Sequence, residues 1–225
     1  RVDGPSHLRV IGETEFVAGE AMRGSPQLIA GIVAHAELAN GEVLDEVLDA
    51  HEQAGRGLFR GIRDAGARDP HPESLRIPGR APEGLYADEA FRAGVARLGR
   101  RGFTFDTWHY HHQNREFAAL ARAVPGTTMI LDHFGTPLGV GVYAGQREAI
   151  FEQWKVDIAE TAQCPNRLPQ PGGLAIPAKR FGWDPPAPPP TTHARAAAAG
   201  LELRPVDDDL VHHPVRRGHG HPFHR

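Results

Sequence analysis

The chain is poor in the features that usually assign a protein quickly. It has 225 residues and a single cysteine, Cys164, which excludes an internal disulfide and matches the usage of a reducing, cytoplasmic compartment. No local motif marks that thiol as a nucleophile, and it reads as a semi-buried helix-end cysteine. No apolar run approaches the ~20 residues needed to span a bilayer. The first residues, Arg1-Val2-Asp3-Gly4-Pro5, carry neither an initiator methionine nor the apolar core of a signal peptide. An excess of one charge is missing too: 25 Lys and Arg face 28 Asp and Glu, a formal charge of −3, so nothing electrostatic points to nucleic acid or a membrane surface. What these absences leave is a soluble globular α/β chain, long enough for one large domain or two small ones.

Glycine and proline are plentiful, 26 and 20 residues, and they punctuate a regular pattern. Residues 28–38 read as a buried strand ending near His35, and a helix follows with Val43, Leu44, Val47, Leu48 and His51 at helical spacing. A second strand covers Gly57–Arg63. Residues 64–86 then form a long polar, proline-rich loop of the kind that covers sites. Phe91, Val95 and Leu98 mark the next helix, Gly102–Asp106 the third strand, and Phe117, Leu120, Ala121 and Val124 the third helix. Thr127–Asp132 is the fourth strand, followed by a glycine-rich loop and a helix with Ile150, Phe151, Trp154 and Ile158 on one face.

Strand and helix thus alternate, and the strands lack strict period-2 patterning, as parallel strands under helices do. The spacing predicts a (β/α)8 TIM-barrel-like fold. A doubly wound sheet is the alternative, although no Gly-x-Gly-x-x-Gly turn follows any strand. After Cys164 the prolines at 169, 171, 177, 185, 186 and 188–190 argue against further regular strands. The predicted organisation is a barrel-type domain over 1–184 and an irregular Pro/Ala/His/Arg-rich tail over 185–225.

In a parallel barrel the C-terminal strand ends converge on one cavity. That rule collects His35, Arg60 and Arg63, then Asp106, Trp108, His109, His111 and His112, then Asp132 and His133. Imidazoles, carboxylates and guanidinium groups together suit metal binding, water activation or the holding of an anionic substrate. His35 is equally readable as a hydrogen-bonded strand-end residue. Arg60 and Arg63 are three apart and face opposite sides of a strand, so at most one points into the barrel. His109 and His111 share a face if their strand continues, a metal-ligand geometry, or else they are loop histidines. Asp132-His133, closing an apolar strand just before Gly135-Thr136-Pro137, has little packing purpose and is the strongest catalytic candidate.

Read together, Ile11–Phe16, Ala30–His35, Phe59–Arg63, Phe105–Trp108 with Gln113, and Leu131–Pro137 resemble the amidohydrolase 2 branch of metal-dependent hydrolases. That branch includes pyrone-dicarboxylate lactonase-like and carboxymuconate-semialdehyde decarboxylase-like enzymes. The resemblance covers roughly residues 1–166, with an echo at Gly172–Pro177 and Phe181–Trp183.

It implies a distorted TIM barrel that hydrolyses or decarboxylates a small cyclic or carboxylated molecule. His133 matches the strand-five histidine that binds metal or substrate. Arg60 and Arg63 match an arginine motif that holds a substrate carboxylate, with His35, Trp108 and His109 beside it. The implied cofactor is a divalent metal, zinc or manganese, and the implied partner is a small-molecule substrate, with a homo-oligomer as one assembly.

The chain also departs from that pattern. The family's His-x-His strand would lie before residue 1, and no strand-like context surrounds Asp207-Asp208-Asp209, where a last-strand aspartate is expected. The resemblance therefore implies an incomplete barrel with exposed strand edges. At Asn166–Gln170 the sequence looks like a family strand read out of frame. The alternative reading is accordingly a catalytically inactive, truncated or frame-shifted fragment, at best a metal- or small-molecule-binding domain. A third is a metal-binding histidine tail (His219, His221, His224) on an unrelated α/β domain.

Overall fold

Five short strands pair into one parallel sheet in the order of the chain: β1 (Ile32–Ala34), β2 (Phe59–Arg63), β3 (Thr104–Thr107), β4 (Met129–Leu131) and β5 (Arg167–Pro169). This computed structural model describes residues 4–23, 29–77, 79–173 and 176–179. The chain divides into two compact units, Arg1–Arg180 and Phe181–Arg225, and the described residues all belong to the first. A doubly wound sheet reverses its strand order at a switch point. Here every neighbour is the next strand in sequence, which is the winding of a barrel wall, left open among the described residues.

Helices α1 (Ile11–Arg23), α2 (Leu44–Gly55), α3 (Glu89–Arg100), α4 (Asn114–Ala123) and α5 (Arg147–Ala162) complete the unit. The apolar stripes of α2, α3 and α4 meet one face of the sheet. Helix α5 instead packs on α4 and buries only Ile150, Asp157 and Thr161, not the Ile150–Phe151–Trp154–Ile158 face read from the sequence. Strand register aligns Ala34, Ile62, Phe105 and Met129 across β1 to β4, and this row packs with Leu48, Phe91, Val95, Leu98, Phe117 and Leu120 into the main core. The opposite face is more open, with Val33 at 40% and Leu168 at 52% exposed. Helix α3 starts at Asp88, whose carboxylate accepts the Phe91 N–H at 2.7 Å and so satisfies one otherwise unpaired amide of the first turn.

Three differences from the sequence reading have physical causes. Helix α1 was not anticipated, because Gly12 and Gly19 dilute its helical pattern and only Ile11, Thr14, Ala18 and Ala21 are buried along it. Strand β5 forms across the stretch read as closed to strands. Its Pro169 ends an outer strand, where Gln170 N–H instead donates to Leu131 O at 2.9 Å. The strand read over 28–38 is much shorter, since only Ile32–Ala34 pairs. The tail over 185–225, with its three histidines and Asp207–Asp209, lies outside the described residues.

Helix α3 approaches the Leu38 backbone at Gly94, where an added Cβ would collide with the Leu38 carbonyl oxygen. Gly94→Ala is expected to force α3 off this contact and destabilise the unit by about 1–3 kcal/mol. Urea unfolding should show this as a lower midpoint at unchanged slope.

Candidate active site

The strand register brings Arg63 on β2 beside Asp106 on β3, on the open face of the sheet. Asp132 follows β4 directly and reaches the same guanidinium. Arg63 Nη2 donates to Asp106 Oδ2 at 3.2 Å, and Arg63 Nε lies 3.0 Å from Asp132 Oδ2. Both carboxylates are buried, whereas the Arg63 side chain is 44% exposed. One cation thus serves two acids. Burial pushes the Asp132 carboxyl up to about 6 against the pull of Arg63, with repulsion from Asp106 adding to the rise. Asp106 is also raised by burial, opposed by Arg63 and by the Thr104 hydroxyl, which donates to Asp106 Oδ1 at 3.3 Å.

His133 sits in a turn that L-residues seldom adopt. Its φ is 55° and that of Phe134 is 57°, both left-handed. Donors from other parts of the chain hold the two carbonyls of this turn: Lys179 Nζ donates to His133 O and Trp154 Nε1 to Phe134 O, each at 2.7 Å. Gly173 packs against the imidazole so closely that a Cβ there would lie 2.6 Å from Nδ1. That ring nitrogen and Gln170 Oε1 are both buried without a hydrogen-bond partner. Burial, then the charges of Lys179 and Arg63, lower the His133 pKa and favour the neutral imidazole.

The remaining sequence candidates separate. His35 is exposed at the end of β1, and its Nδ1 lies 3.1 Å from Arg63 O. A carbonyl only accepts, so Nδ1 is the donor in this contact. Trp108 is half-buried and donates from Nε1 to Thr136 Oγ1 at 2.9 Å, bracing the loop after β4. Arg60 does not join the cluster. It falls at an irregularity in the β1–β2 register and turns back toward the N-terminal strand ends, donating to Gly57 O at 2.7 Å and Ala30 O at 3.3 Å.

His109 is a core residue. It is fully buried, with Nδ1 2.9 Å from the Tyr86 hydroxyl and Nε2 2.9 Å from Asn114 Oδ1. The shared strand face read for His109 and His111 does not form, because β3 stops at Thr107 and His111 opens a 3-10 turn. His111 Nδ1 instead accepts the Leu138 N–H at 3.3 Å. Burial pushes the pKa of each down to about 4.

These groups therefore stabilise the fold above the ordinary imidazole pKa, and lose that contribution as pH falls through about 4. His109→Gln is expected to cost about 1–3 kcal/mol at pH 7 and to flatten the acid limb of stability by one proton. It should leave KM unchanged. Denaturation across pH 4–7, with kinetics on the same samples, checks both parts.

Three residues near the site escaped the sequence reading. Asp64 follows β2, takes the Leu38 N–H at 3.5 Å and is raised by burial against the pull of His35. Its place at a strand end was the available signal. Gln170 and Lys179 lie in the proline-rich stretch and had none. Gln113, quoted for the resemblance, clamps the loop after β2: its Oε1 takes the Arg68 N–H at 3.0 Å and its Nε2 donates to Gly66 O at 2.8 Å.

A parallel wall wound in chain order gathers Arg63, Asp106, Asp132, His35 and His133 at the C-terminal ends of its strands, the end at which TIM barrels carry their sites. Residues 20–203 match the sequence model of the family described as Amidohydrolase, and the chain belongs to that family. The match continues past Asn166, where a change of reading frame was inferred, and does not favour the inactive-fragment alternative.

The protein y4mH of Sinorhizobium fredii, itself uncharacterised, is 31% identical over 192 residues, which are 85% of this chain and 59% of that protein. An amidohydrolase from Burkholderia multivorans, solved once with bound zinc and once with bound HEPES, shares the fold with a TM-score of 0.57 at 20% identity. The zinc-bound structure matches over 76% of this chain and 52% of its own. The chain thus spans between half and three-fifths of these relatives' lengths.

Among the described residues, no group of three or more His, Cys, Asp or Glu side chains is placed to hold a metal ion. Asp106 and Asp132 already share the Arg63 guanidinium. This donor set does not fit a divalent cation. No helix among the described residues is long and apolar enough to cross a membrane.

Proposed function

We propose that the chain is the site-bearing part of a hydrolase that opens a lactone or amide bond in a small carboxylated molecule. The observation that carries this reading is Arg63 held between Asp106 and Asp132 next to a neutral His133. The two aspartates engage Nε and Nη2, which fixes the plane of the guanidinium and leaves Nη1 to meet a substrate carboxylate. A neutral imidazole at the strand end takes the proton of a water as it attacks the carbonyl carbon. The tetrahedral intermediate then collapses, the carbon–oxygen or carbon–nitrogen bond breaks, and the His133 imidazolium returns its proton to the departing alkoxide or amine nitrogen.

Asp132 and Asp106 act here as supports for Arg63. The zinc in the Burkholderia structure belongs to that protein; in this chain a cation would compete with Arg63 for both carboxylates. The family resemblance supports the lactone as bond type, and Arg63 supports the carboxylate.

A screen of small lactones and amides, each with and without a carboxylate, tests the proposal. Turnover is expected only for carboxylated members. Equal turnover of the uncharged analogues would remove Arg63 from substrate binding, and release of carbon dioxide would replace hydrolysis by decarboxylation.

A further inference from the structure

Apolar side chains among the described residues gather in two separate clusters. The larger lies between the sheet and its helices. The smaller is built on Ala67 and Leu75 from after β2, Tyr110 from after β3 and Leu138 from after β4. Tyr143 and Ala178 pack against it, the latter from the 3-10 turn after β5 (Pro177–Lys179). No β-strand or α-helix contributes to this second cluster. A core made only of loops gives those loops a stability distinct from that of the barrel wall. Polar contacts join the same segments. Tyr143 donates its hydroxyl proton to the buried Asp69 carboxylate at 2.8 Å, across 74 residues of sequence. Gly139 N–H donates to Ala178 O at 2.9 Å. Gly141, at φ 59°, lies so close to Ser74 that an added Cβ would sit 2.6 Å from the serine side chain.

The loop cluster reaches the candidate site through Thr136. That residue ends a left-handed run that starts at His133, and its own φ is 31°, a conformation that β-branched residues rarely adopt. Its N–H donates to His133 O at 3.2 Å. The loops hold its two oxygens: Trp108 Nε1 donates to Thr136 Oγ1 at 2.9 Å, and His111 N–H to Thr136 O at 3.3 Å. Backbone strain of this kind persists only while its surroundings enforce it. We propose that the loops after β2, β3 and β4 form a cap that opens and closes as one unit, separately from the barrel core, and that its closure enforces the strained turn bearing His133. Closed, the cap fixes Thr136 and with it the end of the turn; open, Thr136 is released and the turn relaxes. Tyr143 on Asp69 is the latch. The proposal deepens the hydrolase reading and rests on it only for the use made of His133.

Amide hydrogen exchange, followed by NMR in the unaltered chain and in variants, tests this. Four amides report the cap: Ala81 bonded to Ala67 O, His111 to Thr136 O, Gly139 to Ala178 O, and Thr136 to His133 O. Phe105, bonded to Thr128 O, and Met129, bonded to Asn166 O, report the barrel wall. The four cap amides should share one protection, at least ~10-fold below that of the wall, and should respond less steeply to urea because cap opening exposes less surface. Y143F keeps the ring and removes the latch, and should speed all four cap amides by a common factor of ~10 or more. G141A forces the cap off Ser74 with the Tyr143 hydroxyl still in place, and should speed the same four.

Cap amides as protected as the wall in the unaltered chain would make cap and wall one cooperative unit and overturn the proposal. A Y143F chain that loses the barrel wall along with the cap would do the same. Acceleration confined to the neighbours of residue 143 would reduce the latch to a local anchor. A Thr136 amide that keeps its rate while the other three speed up would separate the cap from the His133 turn, and either result also overturns the proposal. Exchange needs no substrate, so failure to find a hydrolysed compound counts against the proposed function and leaves this inference to its own measurement.

Discussion

Arg63→Met is expected to unfold the site before it alters any chemistry. Asp106 and Asp132 are buried, and Arg63 is the cation they share. Removing one partner of a buried ion pair leaves uncompensated charge, at a cost of about 3–5 kcal/mol. The sign of the pH dependence makes the prediction specific. In the unaltered chain the Asp132 pKa is raised to about 6, so the folded state holds its proton more tightly than the unfolded chain does. Asp132 therefore favours folding most below its ordinary pKa, and this is lost as pH climbs from about 4 through about 6, on the order of 2–3 kcal/mol.

Without the guanidinium both acids shift further upward. The penalty of Arg63→Met should be largest at pH 7 and shrink toward pH 4, as the carboxyls take up protons. Urea titrations of both proteins at these pH values check it. A penalty independent of pH would mean that Arg63 stabilises by packing alone. Arg63→Lys should recover only part of the loss, because a point charge cannot engage two carboxylates with a planar fork.

His133→Asn is expected to lower kcat/KM by about 10²–10⁴-fold while leaving the fold intact. Asparagine is the informative replacement because it tolerates the left-handed backbone that His133 adopts, so Lys179 can still reach the residue-133 carbonyl. Loss of rate then reports loss of the imidazole rather than collapse of the turn. In the unaltered chain the rate should rise with pH through a His133 pKa below 6.5, since the base form is the active one. That limb should vanish in the variant. Unchanged kcat/KM with a preserved pH limb would move the general base elsewhere, and His35, with Nε2 free at the end of β1, is the next residue to replace.

Both predictions turn on residues that one-dimensional patterns represent unequally. Helices α2, α3 and α4 were legible because their buried residues recur at helical spacing: Leu44, Val47, Leu48 and His51, then Phe91, Val95 and Leu98, then Phe117, Leu120 and Ala121. Strands β2, β3 and β4 were legible as short apolar runs closed by polar residues. Helix α1 was not, because its buried face is mainly small residues with weak hydropathy contrast. Strand β5 was not, because its pairing comes from the neighbouring β4 backbone, and the prolines around it dominated the local reading.

The site shows the same division. Arg60 and Arg63 look alike in sequence, and an irregularity in the β1–β2 register sends one back along the strand and the other to the two aspartates. His109 and His133 both follow strands, yet one has two hydrogen-bond partners inside the core and the other has a buried nitrogen with none.

By itself the sequence determined the alternation of strand and helix, the parallel winding, the family, and a polar set centred on Asp132 and His133. The alternation, the winding and the polar set follow from local spacing and composition, which a single chain displays directly, and the family from the resemblance of its motifs to a known group. Tertiary structure alone decided that Arg63 bridges two acids, that His109 belongs to the core, and that Lys179 grips the turn that carries His133. Each depends on strand register or on contacts between residues far apart in the chain, and no local periodicity encodes which distant partner a buried polar group will meet.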